Sequence, residues 1–444
     1  MSESSEKPVS AVAVDNDYAQ SLVPEDKRRG FWPMFVIMLG FTFFSASMWV
    51  GATLGSGLTL GKFILTVLCG NLILGVYTSV LAWMASSTGL SVHLLARRSF
   101  GKRGSSLPSF LLAITQIGWF GVGVAMCAIP IQAYLKEKGI NCNIWPLIII
   151  SGLLFTSSAY FGIKALTIVS LVAVPLVAIF GCFSAIKVFV DNPDAWNTLT
   201  HFTPDANKAV TFSTAVALTV GSFISGGTCT PDFVRFAKTR GIAVSTTAIA
   251  FFIGNSLMFT FGAVGGMFFN TNDISNVLVQ QGLLVIGIIV LTLNLWTTND
   301  NALYTSGLGL ANITGLQKKH LVIFGGLFGT ILAKVLYDNF CGYLSILNTT
   351  LPSIGAVLAA DFFIVRRYFN LKNDETPFNG IPAIIAWACG TIVANFVKGG
   401  ISSINGIITA FIVYPIAVLF FMHSYCVIYN YNKLKNQQKD GVLR

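Results

Sequence analysis

Charge is what this 444-residue chain lacks most: Asp, Glu, Lys and Arg make up 10% of it, while 54% is hydrophobic. Soluble domains carry roughly a quarter of their residues as charges, so an ordinary soluble globule is excluded. Histidine is scarce too, with four residues, and none has a neighbour at metal-ligand spacing. The eight cysteines (Cys69, Cys127, Cys142, Cys182, Cys229, Cys341, Cys389 and Cys426) show no CxxC or other zinc-type spacing. Nearly all lie inside apolar segments, which reads them as small hydrophobes. No span sets a nucleophile beside a base or clusters His with carboxylates, so an integral-membrane enzyme is disfavoured and no cofactor is expected. Residues 1–29 lack the apolar core of a cleavable signal peptide, so the expectation is a disordered cytoplasmic tail ahead of a retained first span.

What the chain does have is long apolar segments. A spanning helix needs about 20 mostly apolar residues. Twelve stretches qualify, near 31–57, 61–86, 106–136, 144–161, 164–190, 211–236, 241–269, 281–312, 319–337, 339–368, 379–398 and 404–431. With the N-terminus in the cytoplasm, 21 of the 28 Lys and Arg fall in cytoplasmic segments and 7 outside, as the positive-inside rule requires. The expected location is a bacterial inner membrane with both termini cytoplasmic. The net charge of +10 then reflects topology, with the lipid bilayer as partner and neither a nucleic acid nor an obligate protein partner implied. The most basic inner loop, residues 88–105, reads as topogenic. Asp232 with Arg235, and Asp361 with Arg366, are expected as charge pairs near inner helix ends.

Two of the apolar stretches are interrupted at their centres, over Phe41 to Ser47 and over Gly221 to Thr228. Irregular backbone at membrane depth survives only where protein or a water-filled cavity satisfies it. Interrupted helices at corresponding places in two halves mark a secondary transporter with its site at the midplane. Helices 1–5 (residues 30–190) and 6–10 (residues 211–368) have matching outlines, and an odd number of spans per unit gives the units opposite topology. The fold expected is therefore all-α and integral to the membrane: twelve transmembrane helices in a five-plus-five inverted repeat, with helices one and six broken. Residues 191–210 form an outer linker, residues 369–432 carry helices 11 and 12 outside the repeat, and residues 433–444 form a C-terminal tail.

Gln116 and Trp119 are three apart, project from one face of helix three and could form one wall of a pocket. Phe223, between Ser222 and Ser225 in the second break, could form another; a planar heterocycle between Trp119 and Phe223 would stack on both faces. The plain alternative for each is helix packing. Helix eight carries the densest polar run, Asn294 to Asn301. Thr297 and Thr298 lie about one turn beyond Asn294, and helix one has loosened backbone at Gly40 and Phe43 to face them. Oxygen ligands with few formal charges suit a hard alkali cation, sodium, as coupling ion. Asp300, flanked by Asn299 and Asn301, is an intramembrane acid and by that token a candidate for gating or coupling. A channel would need a polar face sustained along several helices, which is absent.

The strings Leu39 to Trp49, Thr115 to Gly121, Gly221 to Ser225 and Asn294 to Tyr304 resemble, in order, the cytosine-permease branch of the nucleobase:cation symporter family. The likeness runs from about residue 30 to 370. It implies the leucine-transporter fold, a four-helix bundle rocking against a hash motif, and cytosine uptake driven by sodium. By matching positions it implies that Trp119 and Phe223 sandwich the base. Gln116 and Ser225, with the backbone around Ser222 and Phe223, read its edge. It also implies a sodium site of Gly40, Phe43, Asn294, Thr297 and Thr298. Uracil, purines, allantoin, hydantoins and hydroxymethylpyrimidine are the alternative substrates within the family, and protons the alternative coupling ion.

Overall fold

The computed structural model describes residues 18, 21–161, 163–371 and 376–439. Each of the twelve expected spans coincides with a helix or with a set of abutting helices. Span 1 is Phe31–Thr42 (1a) and Ser45–Gly57 (1b), span 2 Leu60–Thr88, span 3 Ser106–Glu137, span 4 Ile144–Phe161 and span 5 Ile163–Asp191. Span 6 is Phe212–Thr228 (6a) and Thr230–Val234 (6b). Span 7 joins Arg240–Ile249, a π-helical turn at Ala250–Asn255, and Ser256–Phe268. Spans 8 and 9 are Leu284–Thr314 and Lys318–Asp338. Span 10 runs through Phe340–Thr350, Pro352–Ala360, a second π-helical turn at Asp361–Val365, and Arg366–Tyr368. Spans 11 and 12 are Ile381–Phe396 and Ser402–Lys439. Among the described residues eight helices are each long and apolar enough to cross a membrane, and the pair 1a and 1b, bent by 49°, makes a ninth. Span 4 is shorter, span 6 is broken, and span 8 has the polar run at its centre.

Spans 1, 2, 6 and 7 pack on one another, and spans 3, 4, 8 and 9 form a second group. In lipid, helices gain little from burying apolar surface against each other, so tight contacts form where small residues let backbones approach. Spans 1b and 7 show this: a Cβ on Gly55 would lie 2.6 Å from the Ala263 carbonyl oxygen, one on Gly266 2.6 Å from that of Ala52, and one on Gly262 would fall on that of Met48. Two small-xxx-small stripes, Gly51 with Gly55 and Gly262 with Gly266, thus interlock.

The structure corrects several expectations at the basic face. The tail is not disordered up to residue 29. The Val23 amide donates to the Gly89 carbonyl (2.9 Å), and Arg29 pairs with the extended segment 236–238 through its amide to Phe236 O (2.6 Å) and its carbonyl from Lys238 N (2.9 Å). This chain of backbone bonds cannot form without a partner, and the short segment after span 6b supplies one. Residues 1–17, 19 and 20, and residues 440–444 of the C-terminal tail, lie outside the described residues. The loop at 88–105 is mostly a helix, Val92–Gly104, capped by Ser91 Oγ accepting from Leu94 N. The outer linker contains a helix as well, Ala195–Thr200.

The Asp232 and Arg235 side chains form no direct ion pair with each other. The Asp232 carboxylate accepts from the Val92 amide (2.9 Å) at the positive end of that basic-face helix, where the macrodipole favours an anion. The fully buried Arg235 donates instead to the carbonyls of Asp232 (3.2 Å) and Tyr18 (2.8 Å). His93 lies with Nε2 4.0 Å from Asp232 Oδ2. Burial pushes its imidazole down to about 3, with Arg235 and Arg97 adding to the fall, so it is neutral at physiological pH.

Asp361 and Arg366 do pair, at 2.7 Å. The Tyr414 hydroxyl donates to the other Asp361 oxygen (2.8 Å), and Arg366 reaches the Arg98 carbonyl (2.8 Å). Span 12, expected to lie outside the repeat, is thereby bonded to span 10. A Tyr414→Phe variant leaves one buried carboxylate oxygen short of a donor, and a loss of about 1.5–3 kcal/mol is expected. Thermal denaturation in detergent measures it, and an unchanged midpoint would remove span 12 from this role.

Candidate functional site

The break in span 1 comes from three bonds that leave the helical ladder. Phe44 N donates to Thr42 O (2.9 Å) rather than to Gly40 O, closing an inverse γ-turn at Phe43 (φ −77°, ψ 74°). Ser47 N donates to Phe44 O (2.9 Å) rather than to Phe43 O. Ser45 N donates to Asn294 Oδ1 (2.8 Å) rather than to Phe41 O. The carbonyls of Gly40, Phe41 and Phe43 are thus released from the ladder at the middle of the membrane-spanning stretch. Span 8 meets them. The amide nitrogen of Asn294 donates to Phe43 O (2.6 Å), so this one side chain clips both sides of the break.

The Thr297 and Thr298 hydroxyls sit beside that clip and bond their own helix, to Asn294 O at 2.8 and 3.1 Å. This is the ordinary habit of Thr in apolar helices. A hydroxyl that donates to a carbonyl keeps its lone pairs, so both can still offer oxygen. The donor set fits a hard cation: released carbonyls, hydroxyl oxygens and an amide oxygen, with no sulfur or imidazole.

Span 6 breaks later than its sequence suggests. Helix 6a is regular through Gly221–Thr228, and the break falls at Cys229, before Pro231, whose ring nitrogen has no hydrogen for the ladder. Two of the three hydroxyls of the expected break bond their own helix, Ser222 to Thr219 O (2.7 Å) and Thr228 to Ile224 O (2.7 Å). The glycines serve approach instead: a Cβ at Gly221 would lie 2.7 Å from the Leu344 carbonyl oxygen of span 10. The Ser222 and Phe223 backbone is therefore helical rather than opened.

Phe44, at the span 1 break, stands between Trp119 and Phe223. Its ring meets theirs edge-on, with centroids 5.3 and 6.4 Å away. Phe41 and Phe251 meet Phe223 edge-on as well, each at 5.1 Å. Beneath this aromatic layer Gln116 Nε2 donates to Ser225 Oγ (2.8 Å), which also lies 3.0 Å from Thr115 Oγ1. The Trp119 ring is covered on its other side by Phe340 (5.9 Å) and Tyr343 (5.6 Å) from the first helix of span 10, and Tyr343 donates to the Thr115 carbonyl (2.5 Å).

A cavity runs from Phe44, Trp119 and Phe223 past Gln116, Ser222 and Thr298 to Cys229, Asn301 and Thr305. Those last residues lie nearer the basic end of spans 6 and 8, while span 10 covers the opposite end. Asn299 lines the cavity with Nδ2 unpartnered and its side chain against Gly123. Asp300 turns away from the cavity. Its Oδ1 accepts from Ser158 of span 4 (2.7 Å), whose hydroxyl oxygen accepts from Trp296 (2.5 Å). Gln116, Trp119, Ser222, Phe223 and Ser225 are therefore brought together, as are Phe43, Asn294, Thr297 and Thr298. Residue-by-residue reading misses Phe44, Tyr343, Cys229 and Thr305. Phe44 is signalled by its place in the broken string, Cys229 and Thr305 directly follow strings already read, and Tyr343 is joined to the site only by packing between distant spans.

The model of a family described as permeases for cytosine/purines, uracil, thiamine and allantoin matches residues 22–428. The cytosine permease of Escherichia coli strain K12 is 48% identical over 386 residues, covering 87% of this chain and 90% of its own. Among solved structures, Mhp1, a nucleobase-cation-symport-1 family transporter with bromovinylhydantoin bound, superimposes with a TM-score of 0.78 at 20% identity, covering 91% of this chain and 95% of that one. A sodium-coupled sialic acid symporter in an outward-open state gives 0.68 at 13% identity, covering 91% and 92%. Both share the fold: a leucine-transporter-type arrangement of broken and intact helices.

Proposed function

The chain belongs to the family of permeases for cytosine/purines, uracil, thiamine and allantoin, and from that premise we propose that it takes up cytosine with sodium across a bacterial inner membrane, its termini in the cytoplasm. It is a multi-pass membrane transporter, not an enzyme. The 48% identity to a cytosine permease supports the choice of base over uracil, purines, allantoin, hydantoins or hydroxymethylpyrimidine.

In this reading Trp119 and Phe223 stack on the two faces of the base, in the space that Phe44 enters edge-on. Gln116 and Ser225, with Ser222 lining the same cavity, read its edge. Bound sodium would supply an electrostatic tie between spans 1 and 8, held by Gly40, Phe43, Asn294, Thr297 and Thr298. Asn294 turns its oxygen towards that point and gives up its bond to Phe43 O. Tyr343 and Phe340 cover the base from outside, and the group of spans 1, 2, 6 and 7 rocks against spans 3, 4, 8 and 9. Asn299 and Asn301 line the route to the cytoplasm and Asp300 braces span 8, the three together serving gating or coupling. Preference of the two ligands for one orientation of the groups is what couples them.

The observation that supports the reading is the release of the Gly40 and Phe43 carbonyls from the helical ladder, with Phe43 O bonded to Asn294 beside Thr297 and Thr298, next to the aromatic layer. The test is uptake of radiolabelled cytosine into proteoliposomes under an inward sodium gradient, then with potassium in its place. Uptake should require sodium, and Thr298→Ala should raise the sodium concentration for half-maximal uptake by about tenfold, the size of one net ligand or hydrogen-bond contact. Cytosine uptake indifferent to sodium would move the coupling to protons and Asp300. An active preparation that ignores cytosine would sink the substrate assignment.

A further inference from the structure

Span 7 crosses the break of span 1 with the one part of its length that is not α-helical. A π-turn carries an extra residue per turn, is rare, and concentrates at functional sites. Here the turn Ala250–Asn255 contributes three contacts to the region described above. Phe251 packs edge-on against Phe223, at 5.1 Å. Gly254 faces Thr42 and Phe43 at the last turn of 1a, so closely that a Cβ there would collide with the Thr42 hydroxyl. Asn255 reaches past the break to 1b, where Ser47 Oγ donates to its Oδ1 (2.9 Å).

The bonds continue inward from Asn255. Its Nδ2 donates to Asn71 Oδ1 of span 2 (2.8 Å), and Asn71 Nδ2 donates to Ser256 Oγ (2.8 Å). Asn255, Asn71 and Ser47 are each fully buried. The neighbours Asn255 and Ser256 both turn towards Asn71 because the widened turn splays the two positions. The amides are matched in sense: each carboxamide oxygen accepts and each nitrogen donates. A buried polar network is rigid when every member is satisfied and costly when one is not. Among the described residues, only Asn294, on the other group of spans, grips the break as directly. The break is thus held from two sides: Asn294 fastens Phe43 and Ser45 to span 8, and Asn255 fastens Ser47 to spans 2 and 7.

We propose that Asn255 is a positioning residue for transport: through Ser47 and Asn71 it sets the angle between the two halves of span 1, and with it the direction in which the Gly40 and Phe43 carbonyls point. The inference deepens the function proposed above and rests on that reading for the identity of the ligands. Asn255 touches neither the base nor the cation. Loss of its bonds lets 1b turn relative to 1a, so the ligand oxygens are no longer presented together. The effect should appear first in the cation, whose proposed ligands include the Gly40 and Phe43 carbonyls that this angle aims, and only weakly in the stacking of the base.

The test compares wild type with Asn255→Leu, Ser47→Ala and the double variant. Three readouts are taken: sodium half-saturation of uptake, equilibrium binding of labelled cytosine at saturating sodium, and the thermal midpoint in detergent. Asn255→Leu should raise the sodium half-saturation about tenfold, the size of one net buried hydrogen bond, with cytosine binding at saturating sodium changed by less than about threefold. Ser47→Ala should give most of that shift, and the double variant no more than Asn255→Leu alone, because the two act through one bond. A lower thermal midpoint with sodium half-saturation unchanged would show Asn255 to be structural only and overturn the proposal. Equal, additive effects of the two variants would overturn it as well. If wild type needs no sodium, the coupling reading fails by itself; positioning is then judged on cytosine binding alone, and an unchanged affinity in Asn255→Leu rejects it. Should Asn255→Leu not fold, Ser47→Ala, which removes only a hydroxyl, carries the same comparison.

Discussion

A Gly262→Leu variant is expected to leave no folded transporter in the membrane. Spans 1b and 7 touch backbone to backbone along Gly51, Gly55, Gly262 and Gly266, and any side chain at Gly262 falls on the Met48 carbonyl oxygen. A flexible neighbour could move aside, but a carbonyl in the interior of a helix cannot, short of separating the helices. Overpacking of an ordinary core costs about 1–3 kcal/mol because side chains can rearrange. Here the obstruction is main chain, so the cost should exceed that range. Separating 1b from span 7 would also break the Ser47 to Asn255 bond and misplace Phe44. Fluorescence-detected size exclusion of the detergent-extracted protein checks this: wild type should run as one symmetric peak, and Gly262→Leu should be lost or aggregated. A monodisperse variant with normal uptake would show that the two helices do not pack this way. Gly30→Ala serves as the neutral control, because a methyl carbon at Gly30 would meet no atom within 4 Å.

On the proposed function, Trp119→Ala should weaken cytosine binding more than changes to the polar residues of the pocket. Stacking of a base on one aromatic face is worth roughly 1–3 kcal/mol, or about 5- to 150-fold in affinity at 1.4 kcal/mol per tenfold. Trp119 also touches Phe44, Phe340 and Tyr343, so its loss opens the cover on the outer side as well as one wall. Equilibrium binding to purified protein measures the effect directly. Phe223→Ala should give a loss of similar size, since Phe223 is the opposite wall. Trp119→Phe should recover much of the affinity because it keeps an aromatic face. Unchanged binding in Trp119→Ala would place the substrate elsewhere in the cavity, for instance nearer Cys229 and Thr305.

The parts of this protein that depend on composition along the chain are legible in its residues alone. Hydrophobic length marks the spans, and all twelve segments are found as helices or sets of abutting helices. Polarity in the middle of an apolar run marks the site, because lipid leaves an unpaired polar group no alternative partner. The break at Thr42 to Ser45 and the run of Asn294, Thr297 and Thr298 follow from that rule. The same rule misplaces the break of span 6. Glycines and hydroxyls between 221 and 228 look like loosened backbone, yet the Ser222 and Thr228 hydroxyls bond the preceding turn and Gly221 faces span 10. In a helix packed on all sides, small polar residues serve close approach as readily as they serve a break. Pro231, which lacks an amide hydrogen, is the better sign.

Charge divides in a similar way. Clusters of Lys and Arg are counted from the sequence, and their asymmetry is a statement about sides of a membrane. Their partners are another matter. Asp361 and Arg366 are five residues apart and meet, whereas Asp232 and Arg235 are three apart and do not, because a helix start at Val92 offers the carboxylate a backbone donor. That donor is 140 residues away in sequence, out of reach of any local pattern.

By itself the amino-acid sequence determined the class of protein, the place of its apolar helices, the clustering of its basic residues, and most of the residues that line the candidate site. Each follows from the solvent: a bilayer penalises polar groups wherever they occur, so their positions along the chain already carry information. Only the tertiary structure decided that Phe44 stands between Trp119 and Phe223, that Asn294 clips both sides of the break, and that a π-turn holds the break from behind. Those arrangements rest on contacts between spans far apart in the chain, where the directions of single hydrogen bonds and the closeness of two backbones settle the outcome, and neither quantity is written in the order of the residues.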